Sequence, residues 1–314
     1  MLGGVTAGAA PGESPLARSW SPPFPVDVGA VVAPVRRGPG DPSFHREAGG
    51  AVWLAAGTPR GAGTLRLAVA AGGVDARAWG PGAEWLLDGL PALLGADDDD
   101  SGFVAHHPLV AESRRRRPGV RLCSTRRVWD ALLPAVLEQK VTGTEAQRSY
   151  RQLCVRFGER APGPTPVPLH VPVGPRVVAR LADWEWHAAG VDGARRRTLV
   201  AAAQVAHRLE AAAGIKGVLG RELLRKVPGI GVWTAAEVAQ RAWGDADAVS
   251  FGDFHLAKTV GHALTGGPVD DDGMAGLLAP YAPQRHRAVV FLLLSGVRAP
   301  RRGVRFSARD HRRV

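Results

Sequence analysis

The chain has 314 residues, a mass of 33.0 kDa and a formal net charge of +11. Its two cysteines, Cys123 and Cys154, are too few for a disulfide framework, a four-cysteine zinc site or an iron–sulfur site. The sequence shows no signal-peptide pattern and no window with the roughly 18 apolar residues of a membrane span, so we expect a soluble, cytoplasmic protein.

The charge is unevenly distributed along the chain. Residues 1–100 contain 7 basic and 11 acidic residues, whereas residues 101–200 contain 17 and 8, and residues 201–314 contain 16 and 10. This asymmetry favours a polyanionic partner, nucleic acid, for the last two thirds of the chain. The alternative is a codon bias towards arginine, which does not explain the change of sign.

The N-terminal third has the composition of a small sheet. Residues 1–25, rich in Gly, Ala, Pro and Ser, are predicted to be a flexible lead-in. Residues 26–100 are predicted to form an antiparallel sheet with one helix over residues 83–94. The predicted strands lie in residues 28–32, 51–55, 64–69 and 74–79. We interpret Asp97 to Asp100 as a solvated charge run at the domain boundary rather than a metal site.

Residues 101–300 have helical periodicity, and residues 301–314 form a basic tail. The predicted fold class is therefore α+β: an N-terminal antiparallel sheet with a helix, followed by an all-helical domain. The predicted helices of that domain include residues 128–137, 145–157, 184–190, 195–213, 222–227, 232–243, 257–264, 273–278 and 285–294.

The most informative motif is a turn between two of these helices, Pro228-Gly229-Ile230-Gly231. The two glycines remove side chains where the backbone is expected to bend, and the amides that open the second helix become available to an anion such as a phosphate. A dinucleotide-binding fingerprint is excluded, because a helix precedes the turn and Thr234 replaces the third glycine.

A lone carboxylate, Asp253, follows Trp233 by twenty residues. With the hairpin, this spacing resembles the helix-hairpin-helix DNA glycosylases, and within them the alkylbase enzymes of the 3-methyladenine DNA glycosylase II type. The resemblance covers roughly residues 105–295 and implies that Asp253 is the catalytic aspartate. Taken alone, Asp253 has the alternative role of capping the helix that follows it.

The resemblance also implies the reaction. Glycosylases that cut the strand have a lysine nucleophile where this chain has Trp233, and an indole cannot form a Schiff base. We therefore expect a monofunctional hydrolase that removes alkylated or otherwise damaged bases and initiates base excision repair. Trp233, Glu237 and Leu293 correspond to base-pocket positions. Their alternatives are core packing for Trp233 and Leu293 and a solvent-facing side chain for Glu237.

The expected partner is double-stranded DNA, bound by a monomer. Gln139, Lys140 and Val141 resemble the segment that enters the duplex, with either Lys140 or Val141 as the wedge; a solvated Lys140 is the alternative. Thr142 is expected to contact a phosphate. The hairpin residues expected to bind DNA are Pro228, Gly229, Ile230, Gly231 and Thr234.

No cofactor is expected to be required, and no iron–sulfur cluster is expected. The resemblance implies that a structural Na⁺ or K⁺ ion is held by the main-chain carbonyls of Arg225, Val227 and Ile230. Two other functions stay open: a non-catalytic helix-hairpin-helix clamp on DNA, and a mismatch or oxidised-purine glycosylase with strand-cutting activity.

Overall fold

The computed structural model of the protein describes residues 14–299. Its N-terminal part is a five-stranded antiparallel sheet with strand order β1-β5-β4-β3-β2. The strands are β1 (Leu16–Trp20), β2 (Phe44–Arg46), β3 (Val52–Thr58), β4 (Gly61–Ala70) and β5 (Gly73–Trp79). Helices follow the sheet, which confirms the predicted α+β class.

Two N-terminal predictions are wrong. The expected lead-in contains β1, whose Leu16 pairs with Ala78 of β5; residues 1–13 lie outside the described chain. The valine-rich run 28–32, predicted as a strand, is helix α1 (Val28–Val32). The Asp27 carboxylate accepts a hydrogen bond from the Ala30 amide at 2.9 Å, so an N-cap outweighs the strand propensity of valine.

Most predicted helices are present, with shifted ends. The helix expected over residues 83–94 is divided at Gly89, and the helix expected over residues 195–213 is divided into Gly193–Gln204, Ala206–Leu209 and Ala212–Ile215. No helix among residues 14–299 has the length and apolar character needed to cross a membrane. The expected basic tail lies outside the described residues. The remaining helices are α2 (Ala83–Asp88), α3 (Leu90–Leu93), α4 (Pro108–Arg116), α5 (Val128–Leu137), α6 (Gly143–Phe157), α7 (Pro175–Val178), α8 (Asp183–Ala188), α9 (Gly193–Gln204), α10 (Ala206–Leu209), α11 (Ala212–Ile215), α12 (Gly217–Arg225), α13 (Val232–Ala242), α14 (Leu256–Thr265), α15 (Asp271–Leu278) and α16 (Arg285–Leu294).

The apolar residues form separate cores. One core packs α1, α2 and α3 against the sheet. A second lies among α5, α6, α9, α12 and α13, and a third among α4, α14, α15 and α16. Trp233 lies in the first turn of α13, in the second core, and Asp253 lies just before α14, in the third core. The two residues are in contact, so they lie where the second and third cores adjoin.

The acidic boundary loop is a solvated charge run only in part: Asp97 and Asp99 are exposed, but Asp98 is not. Asp98 is buried, and its carboxylate accepts hydrogen bonds from Arg287 of α16 at 2.9 and 2.5 Å. Asp98 also accepts the Leu122 amide at 2.9 Å. The buried pair is tolerated because each charge is matched and hydrogen-bonded, and it ties the end of the sheet domain to α16.

Candidate active site

The hairpin is built as predicted between α12 and α13, but its two glycines have different roles. Gly229 has φ +89°, and a Cβ there would lie 2.0 Å from the Thr198 hydroxyl oxygen, so only glycine fits. Gly231 is extended, with φ −89° and ψ −173°. A Cβ on Gly231 would meet no atom within 4 Å, so this glycine leaves open space beside the N-terminus of α13.

Three residues predicted to contact DNA hold the hairpin together in this structure, and their contact with DNA stays a prediction. The Ile230 side chain is buried, and its amide donates to the Val227 carbonyl at 3.0 Å. Thr234 is also buried, and its hydroxyl accepts from the Gln139 amide nitrogen at 2.8 Å. Gln139 donates to the Gly229 carbonyl at 2.9 Å as well. Buried donors and acceptors need internal partners, so these side chains brace the turn against the end of α5.

Asp253 both caps a helix and reaches the hairpin. Its Oδ1 accepts from the amides of His255 and Leu256, each at 2.8 Å, at the start of α14. Its Oδ2 accepts from the Trp233 indole nitrogen at 3.3 Å. The capping bonds fix the orientation of the carboxylate, so the second oxygen is held beside the first turn of α13.

Trp233 is half-buried, and exposed apolar side chains flank the pair on both sides. Val232 precedes Trp233 and is 46 % exposed, while Phe254 follows Asp253 and is 67 % exposed. The Lys258 ammonium lies 4.6 Å from the centre of the Phe254 ring. Val232 and Phe254 thus leave apolar surface in solvent at the positions next to the pair in the chain.

Glu237 does not face solvent, which excludes that alternative. Its Oε1 accepts from the Ser250 hydroxyl at 2.5 Å, and its Oε2 pairs with Arg241 at 2.8 Å. Gln240 donates to the Ser250 hydroxyl and to the Ala248 carbonyl, each at 2.8 Å. These contacts fasten the segment before Asp253 to α13.

Charge and hydrogen bonding keep Glu237 ionised despite its position. Burial alone would raise the pKa of Glu237, but the Arg241 guanidinium and the Ser250 hydroxyl outweigh burial and hold that pKa below its ordinary value. The roles of Ser250 and Gln240 were not predicted. The spacing of Glu237 and Arg241, four residues apart on one helix, is the only sequence signal for this network.

The segment expected to enter the duplex is a tight link between α5 and α6. Lys140 is exposed and has φ +56°, a left-handed conformation that is unfavourable for a residue with a side chain. Val141 is half-buried. Thr142 caps α6 through reciprocal bonds with Glu145, and its hydroxyl donates to that carboxylate at 2.7 Å. Thr142 is therefore a cap in this structure, and the choice of wedge stays a prediction.

The remaining predicted pocket residue, Leu293, is 42 % exposed on α16, which excludes the alternative that it packs in a helix core. Two cavities stand out among residues 14–299: an interior one of about 20 Å³ and a surface groove of about 510 Å³. Neither is lined by Trp233 or Asp253. The side chains that would contact a base therefore stay predictions.

Comparison with known proteins gives structural likeness only. No family model and no curated protein matches the sequence. The 3-methyladenine DNA glycosylase of Archaeoglobus fulgidus matches with a TM-score of 0.70 at 14 % identity, covering 88 % of this chain and 97 % of that one. The apo 8-oxoguanine glycosylase/lyase of Clostridium acetobutylicum matches with a TM-score of 0.67 at 12 % identity, covering 87 % and 93 %.

The chain has the fold of the helix-hairpin-helix DNA glycosylases. The Clostridium enzyme bound to double-stranded DNA also matches, with a TM-score of 0.63 at 11 % identity over 85 % of this chain and 91 % of that one. The glycosylase fold thus includes neighbours named for alkylated and for oxidised bases, and likeness of fold does not choose between them.

The described part of this glycosylase fold contains no group of three or more His, Cys, Asp or Glu side chains that could hold a metal ion. The predicted cation site uses main-chain carbonyls. Of these, the Val227 carbonyl accepts the Ile230 amide across the turn. A carbonyl oxygen has two lone pairs, so this bond leaves room for an ion.

Proposed function

We propose that this protein is a DNA glycosylase that hydrolyses the N-glycosidic bond of an alkylated or otherwise damaged base in duplex DNA. The observation that carries the proposal is the contact between Asp253 and Trp233 at the N-terminus of α13. It places a fixed carboxylate next to the end of a helix that is suited to binding a phosphate. In this proposal the two requirements of the reaction, a grip on the strand and a charge facing the sugar, would be supplied at one point.

Asp253 would act on the sugar of an extruded nucleotide. As the N-glycosidic bond breaks, positive charge develops on the deoxyribose, and the carboxylate opposes that charge and orients the attacking water. The amides of His255 and Leu256 hold Oδ1, so the carboxylate needs little rearrangement during the step. Alkylated purines such as 3-methyladenine already carry a positive charge and leave without a strong general acid.

Trp233 supports hydrolysis without strand cutting. The indole stands where strand-cutting glycosylases have a lysine, and it lacks the amine that forms a Schiff base. Its ring offers a face to a cationic base, worth roughly 0.5 to 2 kcal/mol depending on desolvation. The alternative, an oxidised-purine glycosylase that cuts the strand, needs an amine from another residue.

The hairpin would hold the DNA backbone. The open space beside Gly231 lets a phosphate approach the first amides of α13, whose partial positive charge favours an anion. The carbonyls of Arg225, Val227 and Ile230 are suited to a Na⁺ or K⁺ ion, which would bridge the turn to the same strand. Double-stranded DNA is thus the proposed partner, and a monomer is sufficient.

The proposal is tested by incubating alkylated duplex, and separately duplex with 8-oxoguanine opposite cytosine, with the protein and then cleaving abasic sites with alkali. We expect base release from the alkylated duplex, strand breaks only after alkali, and no adduct with borohydride. A borohydride adduct would favour the strand-cutting glycosylase. Tight duplex binding without release of either base would favour the non-catalytic clamp.

A further inference from the structure

A basic groove lies away from the candidate active site, between the loop of residues 36–42, strand β2 and helix α6. Its volume is about 510 Å³. Basic side chains line it together with the exposed apolar side chains Val155 and Val167. The basic residues of the lining are Arg36, His45, Arg46 and Arg151.

Two of the groove arginines, Arg36 and Arg151, are held by main-chain carbonyl groups. Arg151 donates from Nε to the Gly40 carbonyl at 3.1 Å and from Nη2 to the Pro39 carbonyl at 3.0 Å. Arg36 donates from Nε to the Gly38 carbonyl at 3.2 Å. Within residues 14–299, Arg36, Arg46 and Arg151 have no carboxylate at ion-pair distance; Glu47, next in the chain, pairs with Arg66. The guanidinium groups of Arg36 and Arg151 are thus held in place and keep further N–H donors, and such groups match the geometry of phosphate oxygens.

The carboxylate in the lining, Asp41, does not cancel this charge locally by pairing with the groove arginines. Its Oδ2 accepts from the Arg37 amide at 2.6 Å, and its Oδ1 accepts from the Ser43 amide and hydroxyl, each at 2.8 Å. Asp41 is buried and shapes the loop from within. The exposed face of the groove is therefore cationic.

The groove and the segment expected to enter the duplex are joined by helix α6. Helix α6 begins directly after Lys140 and Thr142, and the loop lies along it: a Cβ on Gly38 would lie 2.2 Å from the Gln147 amide carbon. From the start of α6 to Arg151 the helix rises about 12 Å. That length corresponds to about three to four base pairs of duplex.

We propose that this groove binds the phosphodiester backbone of the DNA that flanks the damaged site, about three to four base pairs beyond the Lys140 link. The guanidinium groups contact phosphate oxygens, and the valine side chains accommodate the apolar face of the deoxyribose. This inference rests on the proposed function, because DNA is the ligand in both. It adds a second contact with the DNA backbone, which is independent of sequence.

The test is the salt dependence of binding to an undamaged duplex of 24 base pairs between 50 and 200 mM salt. The variants are R36A/R46A and the same pair with R151A. The matched control, R60A/R115A/R116A, removes three exposed arginines that pair with Glu84 and Glu112. Thermal melting checks folding, and the double variant keeps the Arg151 bonds to the loop.

Each lost phosphate contact reduces the slope of log affinity against log salt by about 0.9. We expect a reduction of about 2 in the double variant and about 3 in the triple variant, with an unchanged slope in the control. A double variant with the wild-type slope overturns the inference. Binding of polyglutamate is measured for the same variants. If they lose this binding while the duplex slope stays unchanged, the inference is also overturned, because the groove would then bind an acidic peptide.

Failure of this inference is distinguishable from failure of the proposed function. Base release with an unchanged slope overturns the groove alone. A groove-dependent slope without base release overturns only the glycosylase. A wild-type protein that binds no duplex overturns both.

Discussion

The network around Glu237 allows the sharpest stability prediction. The E237A substitution removes the acceptor of the Ser250 hydroxyl and the ion-pair partner of Arg241. The side chains of Ser250 and Arg241 are largely buried. Removing one member of a buried ion pair costs about 3 to 5 kcal/mol, because the remaining charge stays desolvated. Arg37 lies near Arg241 and adds repulsion: burial and then the positive charge of Arg241 lower the pKa of Arg37. We therefore expect the free energy of unfolding of E237A to fall by about 3 to 5 kcal/mol.

Urea unfolding measures this change, and E237Q separates charge from shape. The amide keeps an acceptor for Ser250 and loses the charge, so we expect a loss of about 1 to 3 kcal/mol. E222A is the matched control, because Glu222 forms an exposed pair with Arg225 on α12, and its loss should cost less than about 1 kcal/mol. A loss below about 1 kcal/mol for E237A, equal to that of E222A, would refute the reasoning.

Three further predictions concern the hairpin, the acid limb of stability and the domain boundary. G229A should lower the free energy of unfolding by about 1 to 3 kcal/mol, as measured by urea unfolding. G231A should change that free energy by less than about 0.5 kcal/mol but weaken duplex binding, as measured by titration with duplex DNA. Burial lowers the pKa of His286, on α16, to about 4. The folded protein therefore favours the neutral imidazole, and its stability should fall by at most about 3 kcal/mol as the pH drops from about 6.5 towards 4. H286Q should make the stability less dependent on pH in this range, which urea unfolding at several pH values measures. D98A leaves Arg287 buried without its partner and should cost about 3 to 5 kcal/mol in urea unfolding, while an effect below about 1 kcal/mol would contradict the buried pair.

Local chemistry was sufficient to predict the hairpin and the helices around it. The Pro228-Gly229 turn and the periodic apolar residues of α13 are local signals that tertiary packing reinforces. The same reasoning failed for residues 28–32, where the Asp27 cap and the burial of Val28, Val31 and Val32 at helical spacing accompany a helix in a valine-rich run. It also failed for β1, because strand pairing between residues about sixty positions apart leaves no local pattern.

The polar contacts of the site were the least predictable part. The partners of Asp98, Thr234 and Glu237 come from distant elements, so the sequence indicates their charge or polarity but not what satisfies it. Asp253 was predictable only through its spacing from Trp233. That spacing indicates a role, whereas the capping bonds to α14 that orient the carboxylate appear only in the folded chain.

The most direct test of the central claim is the single-turnover rate of base release by D253N, measured beside its affinity for a duplex that contains an abasic analogue. Asparagine caps a helix about as well as aspartate, so α14 and the hairpin should stay intact. We predict a rate at least about 100-fold below that of the wild-type protein and an affinity within about threefold of it. A D253N protein that releases the base at the wild-type rate would contradict the assignment of Asp253 to the reaction.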